Sequence, residues 1–441
     1  MAGSLFKNAL AAFLLLQPLT AAYVQHQKQG HWVDIWGTMP QLVEPANLPP
    51  VPYNATDVVF QNSSLRQTIF VTQTAPTIRL IISNAFGESE LPITAATIAI
   101  PLNGSAGTSA ISPDSLARVT FSGGLSNFTI PNGARAISDP IDYPVTAQQI
   151  LTISLYLATG QTTNSITGHP GSRTTSYYSP GNQTASADVP SDPETKQSEH
   201  WYLISGVEGY LPQSASPGSL VILGDSITDG RGSTTNHNDR WPDVLVRRLQ
   251  GPGSTPLQRD TPVINQAAGG NRVLADGLGP SALGRVDRDV LARTGVAYVM
   301  VLEGVNDIGT AAADAAAQAG VGDRLVAAYE QIIGMVHARG IPVFGGTITP
   351  FGGDSSVQAY SDPGREATRQ RVNGWIRGSG RFDWVVDFDA AVRDPANGTM
   401  LDPSYDSGDF LHPNPAGYVA MAGAVDLSLF ETFRYGIDGE I

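Results

Sequence analysis

The second half of the chain alternates between short apolar runs and stretches with helical spacing. The apolar runs stand at residues 220–223, 262–265, 297–302, 342–344 and 384–388. Helical spacing of apolar positions fills 241–250, 284–292, 324–338, 366–376 and 415–430. Gly340 provides a stop after the third of these, and Pro415 suits a first turn. An apolar run without polar alternation is the pattern of a strand buried on both faces. Five such strands joined by crossover helices predict a parallel sheet covered on both sides, a three-layer α/β/α domain over residues 219–441.

The first half follows a different period. Residues 68–83 and 151–157 alternate in part between apolar and polar or small positions, and 91–100, 117–121 and 128–130 add short β-prone runs. Turns rich in Gly, Pro, Asn and Ser separate them at roughly ten-residue spacing, which predicts an all-β sandwich or jelly roll over residues 23–210. A structural loop is the favoured reading of 168–178 (GHPGSRTTSYY), with a site-facing role for His169 and Arg173 as the alternative. Residues 179–198 read as a long surface loop and 201–207 as a last strand. The segment 211–218 (LPQSASPG) has the composition of an inter-domain linker.

Composition narrows the class. The 441 residues carry 40 acidic and 26 basic side chains, a formal charge of −14. That balance disfavours nucleic acid and anionic membranes as partners, since both call for a basic face. Residues 1–22 combine Lys7, an apolar core from Ala9 to Leu16 and small residues before Tyr23, the layout of a signal peptide and too short for a membrane span. Six glycosylation sequons, at Asn54, Asn62, Asn103, Asn127, Asn182 and Asn397, agree with a secreted, extracellular glycoprotein. The chain has no cysteine, so neither disulfides nor thiolate chemistry contribute.

Candidate chemistry gathers where the predicted parallel strands end. The first runs into GDSITDG and places Ser226 at its C-terminal end, where open α/β sheets bind ligands. The second leads to NQAAGGNRVL, with Gly269 and Gly270 on a turn. The third leads to GVNDIG, which presents Asn306, and DFLH brings Asp409 and His412 just before the last helix. Each motif alone is ordinary turn chemistry. Together they supply what acyl transfer requires. A serine hydroxyl needs an imidazole to take its proton, the imidazole needs a carboxylate to hold its tautomer, and the tetrahedral oxyanion needs aimed donors.

These four blocks, in this order, resemble those of the SGNH (GDSL) hydrolase superfamily over the whole C-terminal domain. SNAFG (83–87), GHPGSRTTSY (168–177) and RWPDVL (240–245) are similar to its extracellular, XynE-like branch, which carries an N-terminal β domain. The resemblance implies a flavodoxin-like domain and a secreted serine carboxylic-ester hydrolase acting through an acyl-enzyme, without a cofactor or a metal. It implies Ser226 as nucleophile, His412 as general base and Asp409 as its orienter. The oxyanion donors would be the N–H of Ser226, the N–H of Gly270 and the side chain of Asn306. Gly270 is preferred to Gly269 on its spacing from Asn265. The Gly-x-Ser-x-Gly elbow of α/β-hydrolases is absent around Ser226.

The loops expected around the site, 228–239, 269–279, 306–320 and 349–364, are dominated by small and polar residues. They offer little wall for a long acyl chain, so the expected substrate is an acetyl or other short-chain ester of a carbohydrate, small molecule or polysaccharide. A lipase or acylhydrolase on longer esters is the alternative, and the 168–178 loop could supply the missing apolar wall. A metal-dependent phosphohydrolase built on Asp225, Asp229, Asp239, Asp307 and His237 lacks compact ligand spacing. Paired carboxylates for glycoside cleavage are always available in an acidic chain and weigh little. The non-enzyme alternative is a glycan-binding protein on an inactive hydrolase scaffold. Asp409 is expected to raise the proton affinity of His412 above the ordinary histidine value.

Overall fold

The computed structural model describes residues 30–212 and 218–437. The expected signal peptide, 1–22, and residues 213–217 of the expected linker lie outside these. Leu211 and Pro212 belong to the strand Ile204–Pro212.

Residues 219–437 contain five strands, paired in parallel throughout. Ser219–Gly224 lies between Val263–Ala267 and Val296–Leu302, followed outward by Val343–Gly346 and Trp384–Val386. All six residues of Ser219–Gly224 are buried, as its apolar run requires when helices cover both faces. The strand order reverses beside this strand. The ends of Ser219–Gly224 and Val296–Leu302 therefore flank the switch point at which doubly wound sheets bind ligands.

Three helices depart from their predicted bounds. The long one is Ala315–His337 and begins well before residue 324. Its Ala-rich start lacks apolar periodicity, but alanine is the best helix former and Asp314 caps the N–H groups of Ala316 and Ala317. Part of the expected 306–320 loop is thus helical, since Val305–Thr310 is a helix as well. The 284–292 prediction becomes Ala282–Val286 running into a π-helical turn, Asp287–Leu291. The last prediction splits into Pro415–Ala424 and Ser428–Thr432, because Val425 is extended and Asp426 accepts the N–H of Ser428 to start a new turn.

The first half is all-β. A four-stranded antiparallel sheet holds Gly30–Gly37, Ile204–Pro212, Ile78–Ser83 and Arg135–Ile137. A six-stranded one includes Ser63–Phe70, Ile150–Leu157 and Ala95–Ala99. Their apolar faces share one core, with Ile35, Leu80 and Val207 from the first sheet and Leu65, Ile153 and Leu155 from the second.

The two halves are joined by buried contacts. Phe70 and Ile150 of the β part pack into the core of the parallel-sheet part. Arg293 pairs with Asp34 at 2.9 Å, and the backbone N–H of Asp34 donates to Thr294 O. Of the sequons, Asn62, Asn103, Asn127, Asn182 and Asn397 are exposed and Asn54 is half-buried.

Candidate active site

Ser226 sits where the central strand stops. Gly224 is its last residue, and a Cβ there would lie 2.6 Å from Thr228, so only glycine lets the chain fold back so tightly. Asp225 accepts the N–H of Ile227 as the cap of a one-turn helix, Ser226–Asp229, with Ser226 at its first position. Gly230 ends that turn at φ 98°, and the N–H of Arg231 returns to Ser226 O at 2.9 Å. The nucleophile candidate is thus fixed by its own neighbours.

His412 reaches Ser226 from a self-contained loop. Asp409 Oδ1 accepts the N–H of Leu411 at 3.0 Å and of His412 at 2.8 Å, a turn that sets Phe410 at φ 59°. Asp409 Oδ2 is left for His412 Nδ1 at 2.7 Å, and His412 Nε2 lies 2.8 Å from Ser226 Oγ. With Nδ1–H donating to the carboxylate, Nε2 is the free acceptor for the serine proton. The Asp-x-x-His spacing has a physical reason here: one carboxylate holds both the loop backbone and the imidazole.

Asn306 follows the strand Val296–Leu302 through Gly304, which caps the helix Val305–Thr310 at φ 112°. Its Nδ2 donates to Asn271 O at 2.8 Å and its Oδ1 accepts from the Tyr360 hydroxyl at 3.1 Å. The amide is therefore oriented, and one Nδ2 hydrogen remains. Gly270 stands on the neighbouring loop at φ 69°. Asp307 carries that loop by accepting the N–H groups of Val273 and Leu274 at 2.8 and 2.9 Å. The N–H groups of Ser226 and Gly270 have no hydrogen-bond partner among the described residues. All five sequence-predicted site residues thus gather at one place. Ser226, Asn306 and His412 are 4 %, 4 % and 3 % exposed, while about a third of the Asp409 side chain meets solvent.

Arg285 supports this arrangement from below, and the sequence pattern gave no hint of it. Fully buried, it donates to Gly224 O at 3.1 Å, Gln266 O at 2.5 Å and Asn271 Oδ1 at 2.9 Å, and pairs with Glu303 at 3.3 Å. One guanidinium ties together two strand ends and the Gly269–Gly270–Asn271 turn. Burial pushes the Glu303 carboxyl far up and the Asp225 carboxyl up to about 7. Asp225, Asp307 and Asp229 each hold a structural hydrogen bond, as does Asp239 through Thr234 N–H. Among the described residues no three His, Asp or Glu side chains converge as metal ligands.

The electrostatics correct one expectation. His412 lies below the ordinary histidine value, because burial outweighs the stabilising Asp409, and Arg231 and Arg173 add to the depression. For Asp409, burial pulls upward but loses to the hydrogen bonds and charge of His412 and to the Leu411 and His412 N–H groups. Its carboxyl stays far below the usual range.

A cavity of about 440 Å³ opens over Ser226, His412, Asn306 and Gly270. Its far wall comes from the β part: Gln41, Glu44, Asn47, Arg173 and His200. The 168–178 loop is thus more than a structural loop. His169 is buried, but Pro170, Gly171 and Arg173 face the cavity, and Arg173 brings a charged side chain there. Arg231, Tyr360 and the β-part residues other than Arg173 were not singled out in the sequence, for no local motif marks them.

Residues 222–420 match the model of the GDSL-like Lipase/Acylhydrolase family. Three solved structures illustrate the resemblance. A GDSL-like lipase from Bacteroides thetaiotaomicron is 18% identical, with 49% of this chain and 89% of that one covered, at a TM-score of 0.35. A carbohydrate acetylesterase family member from Sinorhizobium meliloti is 16% identical over 48% and 97%, with a TM-score of 0.37. The acetyl xylan esterase AlAXEase is 19% identical over 47% and 96%, with a TM-score of 0.34. No curated protein matches the chain.

Proposed function

We propose that this chain, whose residues 222–420 match the model of the GDSL-like Lipase/Acylhydrolase family, is a secreted serine ester hydrolase that works through an acyl-enzyme on Ser226. The observation that carries the reading is the continuous hydrogen-bond chain from Asp409 through His412 to Ser226, at 2.7 and 2.8 Å, beneath an open cavity. In the proposed reaction His412 Nε2 takes the serine proton while Oγ attacks the ester carbonyl. His412 then gives that proton to the departing alcohol. The N–H groups of Ser226 and Gly270 and the free Nδ2 hydrogen of Asn306 receive the oxyanion. Water, deprotonated by the same imidazole, releases the acid and restores Ser226.

The polar side chains of the far wall support a carbohydrate as the alcohol part, and a lining with only Leu278 and Leu411 as long aliphatic side chains supports a short acyl group such as acetyl. This fits a XynE-like extracellular esterase. The test is reaction of the purified protein with a serine-directed organophosphonate and with 4-nitrophenyl acetate. Labelling confined to Ser226, and loss of both labelling and turnover in Ser226→Ala and His412→Ala, are the expected results. Turnover that survives in a folded Ser226→Ala protein ends the proposal, and absence of both in the wild type favours the glycan-binding alternative.

A further inference from the structure

We propose that Arg173 and Arg231 form an anion subsite in the cavity, receiving a carboxylate of an acidic sugar, a uronate, next to the ester to be cleaved. This rests on the ester-hydrolase reading for the ester and on the cavity itself for the anion.

The cavity contradicts the charge of the chain. Acidic residues outnumber basic ones 40 to 26 overall, yet two cations without a partner, Arg173 and Arg231, line the cavity. Neither guanidinium has an ion pair or hydrogen bond among the described residues, and Arg173 Nε is buried without a partner. Other buried guanidinium groups have partners: Arg285 pairs with Glu303, Arg293 with Asp34 and Arg369 with Asp389, while Arg66 donates to the carbonyls of Ser109, Gln183 and Ser186. The cavity's own acids are hydrogen-bonded to neighbouring side chains, with Asp229 Oδ2 buried and unpartnered. Asp229 faces His169 at 2.8 Å, and Glu44 accepts from Gln41 at 2.6 Å and Asn47 at 3.0 Å.

The backbone of each arginine is held in place. Arg173 adopts φ 51°, a left-handed conformation that disfavours a long side chain, and its carbonyl accepts from Asn236 N–H at 2.9 Å. Arg231 is tied by its N–H to Ser226 O and by its carbonyl to the Tyr418 hydroxyl at 2.5 Å. One cation therefore comes from each half of the chain, and both act electrostatically on His412. Arg173 Nε, buried without a partner, is an electrostatic cost that a substrate anion removes, while the exposed Arg231 offers a free charge. A guanidinium fork matches a carboxylate in two parallel hydrogen bonds. Among anions, a uronate suits the polar walls, while a phospholipid would also need an apolar acyl wall.

The test compares kcat/KM for a mono-acetylated methyl glucuronoside with that for the matching glucoside. It is run on the wild type, Arg173→Gln, Arg231→Gln and the double variant. The readout is the acidic-to-neutral ratio on each protein, so a general loss of activity cancels. Arg231 is exposed, and its variant guards against misfolding at Arg173. The expected wild-type ratio is about tenfold or more, shrinking at about 0.3 M salt and falling to about one in the double variant. A wild-type ratio near one, or one that survives the double variant, overturns the proposal. Calorimetric titration with trigalacturonate separates this outcome from failure of the esterase reading. If neither ester is cleaved, arginine-dependent binding still supports the subsite and its absence rejects it. A stronger arginine-dependent preference for dibutyrylphosphatidate reassigns the anion to a phospholipid and overturns the uronate.

Discussion

His169 Nε2 lies 2.8 Å from Asp229 Oδ1, joining the β part to the one-turn helix that carries Ser226. Both side chains are almost wholly buried, at 3% and 1% exposure. His169 Nδ1 faces Met39 O at 3.0 Å and can only donate there, which leaves Nε2 to face Asp229 Oδ1. The imidazole is stacked on Trp201, with centroids 5.9 Å apart. Gly171 lets the carboxylate approach, since a Cβ at that position would lie 1.7 Å from Asp229 Oδ2. The β part is thus built into the floor of the site.

Breaking this pair from one side strands a buried carboxylate. His169→Ala is expected to cost about 3–5 kcal/mol of stability, measured by denaturant unfolding, and to lower kcat through the displaced helix. Asp229→Asn keeps a donor for the neutral imidazole and should cost less. Equal unfolding curves for His169→Ala and wild type would show that the pair carries no load.

Asn306 is the side-chain oxyanion donor in the proposed mechanism. Asn306→Ala should reduce kcat/KM by roughly 10²–10³, about 2.7–4 kcal/mol of transition-state stabilisation, with little change in KM. Tyr360 acts only by orienting the amide through Oδ1, so Tyr360→Phe should lose about 1 kcal/mol. Steady-state kinetics on a short nitrophenyl ester separates the two. A larger loss in Tyr360→Phe than in Asn306→Ala reverses the assignment.

The depressed proton affinity of His412 sets the acid limit of activity. Its neutral form is the competent base, and burial with Arg231 and Arg173 nearby disfavours the protonated form. Activity should therefore persist to lower pH than an ordinary histidine allows, with an acid-limb midpoint in kcat/KM below about 6.5. Arg231→Gln should move the midpoint upward. A wild-type midpoint above 6.5 would mean that Asp409 outweighs burial.

Acyl length follows from the cavity lining. Leu278 and Leu411 are the aliphatic side chains at the cavity, and Leu278 is itself half exposed. Each methylene left in water forgoes about 0.8 kcal/mol, so specificity constants on nitrophenyl esters should stop rising and decline beyond about four carbons. A steady rise to twelve carbons would place the chain among enzymes for long acyl esters.

The local sequence alone determined much of the parallel-sheet half. Continuous apolar runs specify strands buried on both faces, and the Gly, Asn and Asp-x-x-His motifs at their ends encode turns through short-range hydrogen bonds. Ser226, Asn306, Asp409 and His412 were legible for that reason, since the backbone around each is held largely by its own neighbours. Local periodicity misjudged the Ala-rich start of Ala315–His337, where propensity and the Asp314 cap act without an apolar stripe. What surrounds the site only the tertiary structure decided. His169 meets Asp229 across 60 residues, and Arg285 ties together the Gly224 and Gln266 carbonyls and the Asn271 side chain. Arg173 enters the cavity from the other half of the chain. The burial that lowers His412 despite Asp409 likewise comes from packing of the whole chain. Such pairings depend on where segments distant in the chain meet, and no spacing within either segment records that.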